Sequence, residues 1–511
     1  CKRMDLKEIL KNFDFETEKI EALKVKAEKG FDKYGVYPNS INRVGNAFVM
    51  ILRGDTEKKL VCIGDDERLA GLDGTTVPLE SGSAKVCSVT NGNCRIIRDI
   101  FPFMHPVVHK GKKVTIGLGD RLGLASPGHI RTISDLDVFP VLAQQSIREL
   151  NLTGRTYDDV ISAAAWAVFQ EGYKKGYGAD GDHLKTAEEV KMALDIGMTM
   201  ITLDCSDHID NGAANESVRE LAEKYNKLPE ESRKNWEKKY SNREIMLNGF
   251  KYSITDEDIV RAACVYGNAI NHTLDIYHNI IANCGRAIDF EMSIDETLTS
   301  TTPFSHYFVA SELCDAGVDI TSLAPRFCGE FQKGIDYRGE IGQFTEEFSI
   351  HAAIADYFGY KISVHSGSDK FLVFPVIGEK TGGKFHIKTA GTNWLEAVRV
   401  TARYNPGLYR RMHAFALEHL DEAKKYYHIS AKTENIPQLG SLSDSELVSL
   451  MDKDDSRQLM HITYGLLLQA KDGNGKTLFK DELYEFLYRY ENEYNAALIK
   501  HIGRHLKALG L

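Results

Sequence analysis

Three histidines and a row of carboxylates are the residues in this 511-residue chain whose types and spacing could do chemistry. His183, His365 and His386 each stand at the end of a short apolar run, and in IDFEMSIDE the acids Glu291 and Asp295 alternate with Ser293 on one face of a strand. Imidazole mixed with carboxylate suits Zn²⁺, Mn²⁺, Ni²⁺ or Co²⁺ better than Ca²⁺ or Mg²⁺, so a divalent metal centre is the first expectation. The alternative for each histidine taken alone is a hydrogen bond within its own loop. A second set is cationic. Arg148, Arg326, Lys370 and Lys388 adjoin apolar runs and are candidates for gripping an anionic substrate, arginine through bidentate contacts. The competing reading is salt bridging to neighbouring aspartates. Asp120, Gln144 and Ser146 complete the candidate substrate-binding set, while Asp204, Asp207 and His208 share the same kind of position without an assigned role.

What must hold these side chains together is a series of β-rich runs, each ending in polar residues and followed by a helix-period segment. There are eight: 114–121, 138–146, 177–183, 198–208, 288–296, 319–327, 361–369 and 384–391. Eight βα units predict an α/β protein with a closed parallel (β/α)₈ TIM-type barrel, and the C-terminal ends of its strands form the active-site face. Almost every reactive side chain in this part of the chain falls at such an end. Thr186 with Glu189 and Thr156 with Asp159 read as helix N-caps in the connecting turns. About 80 residues separate the fourth and fifth runs, so an insertion with a charge-laced helical stretch is expected at about 209–285. A small N-terminal α/β cap over 1–105, a catalytic barrel over 106–400 and a helical C-terminal region over 401–511 complete the predicted layout.

Composition narrows the function classes. A formal charge of -10 without any Lys/Arg block argues against nucleic acid or an anionic membrane as partner. Nine cysteines without a CxxC pair fit a reduced, cytoplasmic thiol set. The chain opens on Cys1 and runs into the polar KRMDLKEIL, so neither a signal core nor a membrane span is expected there. The segment GLGDRLG (117–123) has GxGxxxG spacing and no acidic ribose partner, which speaks against a dinucleotide site. HSGSDK lacks the GxSxG elbow of a serine hydrolase.

GLGDRLGLASPGHIR, VLAQQSIRE with NLTGRTYDDV, GYGADGDHLK, DCSDH, DFEMSIDET, GIDYRGE, VHSGSDKF and FHIKTAGTNWLEAV, in this order over about 110–510, resemble the motif series of the tagaturonate epimerases. The resemblance implies a metal-dependent isomerase that interconverts D-tagaturonate and D-fructuronate, a sugar-acid substrate, Asp182 as proton acceptor, Glu291 as proton donor, and His183 and His365 as metal ligands. His386 is expected as a further ligand from its strand-end position alone. The nearest alternatives are an epimerase or aldose-ketose isomerase of neutral sugars, or a non-catalytic sugar-acid binding protein; the density of acid/base groups at strand ends argues against the last. A homo-oligomer is compatible with the barrel class.

Overall fold

The computed structural model describes residues 6–15, 17–79, 82–247 and 249–511; Cys1 lies outside them. All eight runs form parallel strands: β1 (Val114–Gly117), β2 (Phe139–Ser146), β3 (Gly178–Leu184), β4 (Met200–Asp204), β5 (Asp289–Ile294), β6 (Ser322–Pro325), β7 (Lys361–Val364) and β8 (Phe385–Lys388). β8 pairs with β1 from Phe385 against Val114 to Lys388 against Gly117, and this pairing closes the barrel. Every strand is buried on both faces except at His183, because the barrel interior lies on one side and the helices on the other. Thr156 and Thr186 cap their helices, each with a reciprocal bond from the acid three residues on.

The segment between β4 and β5 is not wholly helical. Two helices, Val218–Tyr225 and Glu230–Tyr240, lead into an antiparallel hairpin, Glu244–Leu247 with Phe250–Ser253. The following helix, Asp256–Ile276, packs beside Pro303–Asp315 and so serves as the fourth barrel helix. The inserted part therefore ends near Thr255, short of the 285 expected from the spacing of the runs.

The N-terminal region is a five-stranded antiparallel sheet (Asn42–Val44, Ala47–Arg53, Lys58–Ile63, Gly74–Pro78, Ser83–Ser88) with the helix Asn91–Ile100. It lies on the barrel's flank: its core includes Trp166 and Phe169 of the helix Tyr157–Glu171, and Trp166 donates to the Thr90 carbonyl. The chain then passes beneath the barrel, where His109 bonds Asp289 through its backbone N–H and the Lys361 ammonium through its ring. At the opposite end the C-terminal helices form a second apolar core with Leu122 and Trp394. The last helix, Glu491–Ala508, is pinned to the loop after β7 by Asp369, which accepts from Arg457 at 2.7 Å and from His501. No helix among the described residues is long and apolar enough to cross a membrane, and the eight described cysteines are free thiols.

Candidate active site

Alternation along a strand decides which residues point into the barrel, and distance along it decides how deep they lie. Two residues are about 6.6 Å of strand, roughly one layer of side chains. Asp182 and Lys388 belong to the mouth; Asp180, Glu291 and His386 belong to the layer beneath.

At the mouth the side chains of His183, Asp295 and His365 converge, their ligand atoms all within 4.8 Å of one another. Asp295 Oδ1 stands 3.2 Å from His365 Nδ1 and 3.8 Å from His183 Nε2. The far nitrogen of each ring is held by another carboxylate, His183 Nδ1 by Asp182 at 2.9 Å and His365 Nε2 by Glu291 at 2.7 Å. Imidazole fixed from behind by a carboxylate is the usual arrangement around a catalytic cation. Buried His365 Nδ1 faces Asp295 without a well-aligned hydrogen bond, and Ser293 donates to Asp295, so the donor set is oriented and fits a divalent cation. His183 and Ser366 also hold left-handed backbone, φ 54° and 51°, a strain that concentrates at functional sites.

The expected ligand His386 does not join this group. It sits one layer deeper, bonded through Nδ1 to Thr115 at 2.8 Å and stacked on His109 with ring centroids 5.9 Å apart. Burial pushes its pKa down to about 3, so it is neutral. The place assigned to it is taken by Asp295.

Lys388 is the electrostatic centre. Its ammonium lies 2.9 Å from Asp180, 2.6 Å from Asp182 and 3.0 Å from Glu291, and donates to Thr202. Burial opposes the charge, but the three acids hold the ammonium well above the usual lysine range. Burial likewise opposes ionisation of Asp182 and Glu291, and Lys388 with the neighbouring imidazoles outweighs it, holding both well below the usual carboxylate range. Asp180 is pushed up to about 6 by burial in spite of Lys388. Asp182 thus faces the pocket as an ionised carboxylate, whereas Glu291, fully buried, meets it only through His365 and Lys388.

Two expected substrate contacts, Asp120 and Arg326, are corrected, and a third, Lys370, lines the mouth with its ammonium already engaged. Asp120 caps its own loop, accepting from the backbone N–H groups of Leu122, Gly123, Ala125 and Ser126. The same bonds occupy the N–H groups that a dinucleotide phosphate would need. Lys370 ties down the carbonyls of Gln332, Ile335 and Ser368. Arg326 follows β6 outside the lining of the mouth, where its backbone pairs with Thr301. Asp120→Ala is therefore expected to cost about 3 kcal/mol of stability, read by urea unfolding, with KM unchanged in the folded fraction; a raised KM at full stability would restore it to the binding set.

Gln144, Ser146 and Arg148 do line the mouth. Gln144 reaches Asp182 at 3.4 Å, Ser146 also caps the helix Ile147–Thr153, and Arg148 lies over the Tyr427 ring near Glu296. Asp204, Asp207 and His208 stand apart on the insertion side: Lys185 bridges the two acids, and His208 stacks on His272 at 3.9 Å. Arg121, at a strand end on the expected active-site face, lines the mouth, whereas sequence reasoning missed Lys333, Tyr427 and His461. Arg121 ends the first run beside Asp120, and Lys333 precedes the motif GIDYRGE, so both had a local signal; Tyr427 and His461 reach the mouth from the C-terminal region and had none.

Comparisons with known proteins agree on one family. The tagaturonate epimerase family model matches residues 37–509, which takes in the N-terminal sheet from Tyr37 on. A tagaturonate/fructuronate epimerase of Thermotoga maritima is 40% identical over 478 residues, 93% of this chain and 97% of its own length. A glycerol-complexed crystal structure of the fructuronate-tagaturonate epimerase of Cohnella laeviribosi shares 51% identity, with a TM-score of 0.92 over 96% of this chain and 100% of that one. The native structure of the same enzyme gives 0.91, at 51% identity over 95% of this chain and 99% of that one.

Proposed function

The chain belongs to the tagaturonate epimerase family, and from that premise we propose that it interconverts D-tagaturonate and D-fructuronate at the barrel mouth, with a divalent cation held by His183, Asp295 and His365. The observation that carries the reading is the meeting, in one pocket, of an oriented two-imidazole, one-carboxylate donor set with Asp182 and the Lys388 ammonium.

The two keto acids differ at carbon three, counted from the carboxylate, and the ketone is at carbon five. A carbanion at carbon three gains nothing from that ketone, so direct deprotonation is a poor route. Retro-aldol cleavage is the better one. Asp182 takes the proton of the carbon-three hydroxyl, the bond to carbon four breaks, and its electron pair passes into an enediolate over carbons four and five. The aldehyde turns its other face and re-addition returns the bond with the centre inverted. The new alkoxide then needs a proton from the far side. Glu291, the expected donor, is ionised in the resting site, so the proton reaches the new alkoxide from Lys388, which lies between Glu291 and Asp182 and regains it from protonated Asp182. A bound divalent cation supplies Lewis-acid stabilisation of the negative charge that develops as the carbon–carbon bond opens.

Metal-stripped protein is expected to convert neither keto acid, and restoring Zn²⁺, Mn²⁺, Ni²⁺ or Co²⁺ is expected to yield each from the other, resolved by chromatography. Full turnover in the stripped protein would remove the cation from the reading. Conversion of neither acid with metal bound would remove the substrate.

A further inference from the structure

The cations of the mouth divide into used and unused. The charge of Lys388 is matched by three carboxylates, and Lys370 is spent on three carbonyls. Three other groups are left with unspent donors. Arg121, only 3% exposed, binds Glu149 through Nε and Nη2 at 2.9 Å and lies 3.9 Å from the Tyr464 ring centroid, which fixes its plane, yet buried Nη1 has no partner. His461 is 1% exposed and neither ring nitrogen has a partner. It enters the pocket because Gly391 and Gly334 make room: a Cβ on Gly391 would stand 2.2 Å from its Cε1, and Gly334 holds φ +80°. Half-buried Lys333 donates at 2.7 Å to the hydroxyl of Ser366, next to His365, and forms no salt bridge among the described residues.

Buried donors without acceptors are costly unless a ligand supplies the acceptors, and a cation without a counter-ion calls for an anion. On the reading above, we propose that Arg121, Lys333 and His461 form the subsite for the substrate's carboxylate, apart from the acid/base cluster around Lys388. Burial and nearby Arg148 pull the Lys333 pKa down, a pull that a bound carboxylate would offset.

The subsite also answers a need of the chemistry. Retro-aldol cleavage divides the six-carbon chain into a three-carbon enediolate and a three-carbon aldehyde that bears the carboxylate. The aldehyde must turn over without leaving. A carboxylate gripped at one end leaves the aldehyde carbon free to rotate about the intervening bond, so the subsite acts as a pivot as well as a selector of acids over neutral ketoses.

Glycerate has the carbon skeleton and carboxylate of that half, and glycerol keeps the skeleton with a hydroxymethyl group in place of the carboxylate. Calorimetry on the metal-loaded enzyme is expected to give glycerate about 30-fold or more tighter binding than glycerol, and Lys333→Met is expected to erase most of the difference while Lys333→Arg retains it. In turnover, Lys333→Met is expected to lower kcat/KM for the keto acids about 30- to 100-fold, chiefly through KM, with free three-carbon aldehyde acid appearing in solution. Wild-type epimerisation with equal loss on glycerate and glycerol in the variant would overturn the subsite and leave the proposed function standing. Absent epimerisation with glycerate still held through Lys333 would overturn the function and leave the subsite. Wild-type protein that binds glycerate no better than glycerol overturns the subsite outright.

Discussion

Lys388→Met is expected to lower turnover by at least about 10³-fold and to destabilise the fold by about 3–5 kcal/mol, the cost of leaving buried charge unpaired. The variant removes the one ammonium that faces Asp180, Asp182 and Glu291 together, and methionine fills its volume without replacing its charge. Burial then acts unopposed by Lys388, and the carboxyls of Asp182 and Glu291 move up from the low values at which they are now held. In the wild type, folded pKa values lie below the unfolded ones, so their contribution to stability is present above the unfolded carboxylate range and fades as pH falls through the folded values. Where burial outweighs the remaining imidazoles of His183 and His365, the order reverses in the variant: stability is kept below the unfolded range and lost as pH rises through the raised folded values. Urea unfolding at pH 5 and pH 8 reads this directly. A variant whose deficit relative to wild type is the same at both would mean that Lys388 does not set the ionisation of these acids. The ascending limb of kcat/KM should move toward neutrality for the same reason, wherever residual activity allows it to be followed.

The barrel was legible because burial on both faces writes most strands as apolar runs, β3 (GADGDHL) being the exception, and the helix caps between runs are local hydrogen-bond patterns. The face of the site was legible too, since polar residues gather where strands end. Depth was not. His386 and Lys388 share a face of β8, yet one is stacked on His109 near the barrel floor and the other lines the mouth. From Glu291 on β5 to Asp295 just past its end there are two such steps, and the residue nearer the mouth is the one that meets His183 and His365. A polar residue at a strand end also has two uses that look alike in sequence. Asp120 closes a loop on its own backbone, while Asp182 faces the pocket. Tyr427 and His461 were out of reach of any local pattern, because only the packing of the C-terminal helices brings them over the mouth.

Asp182→Asn is expected to reduce kcat by about 10³- to 10⁴-fold while leaving the protein folded, because asparagine keeps the shape and one acceptor oxygen toward His183 and Lys388. Two roles converge on this carboxylate, and the size of the loss alone does not separate them. As the partner of His183 Nδ1 it orients a candidate metal ligand, a contribution worth about 10- to 100-fold in metal affinity. As the base of the pocket it would take the proton of the carbon-three hydroxyl. Raising the metal concentration distinguishes the two: an orienting role is recovered at saturation, whereas the loss of a base is not. Turnover restored to within a few-fold of wild type at saturating metal would remove Asp182 from the chemistry and leave Lys388 as the proton-bearing group at the pocket. A deficit that persists at saturation, with keto-acid binding unchanged in calorimetry, would place the proton transfer on Asp182, since binding without turnover is the signature of a group needed only as the bond opens.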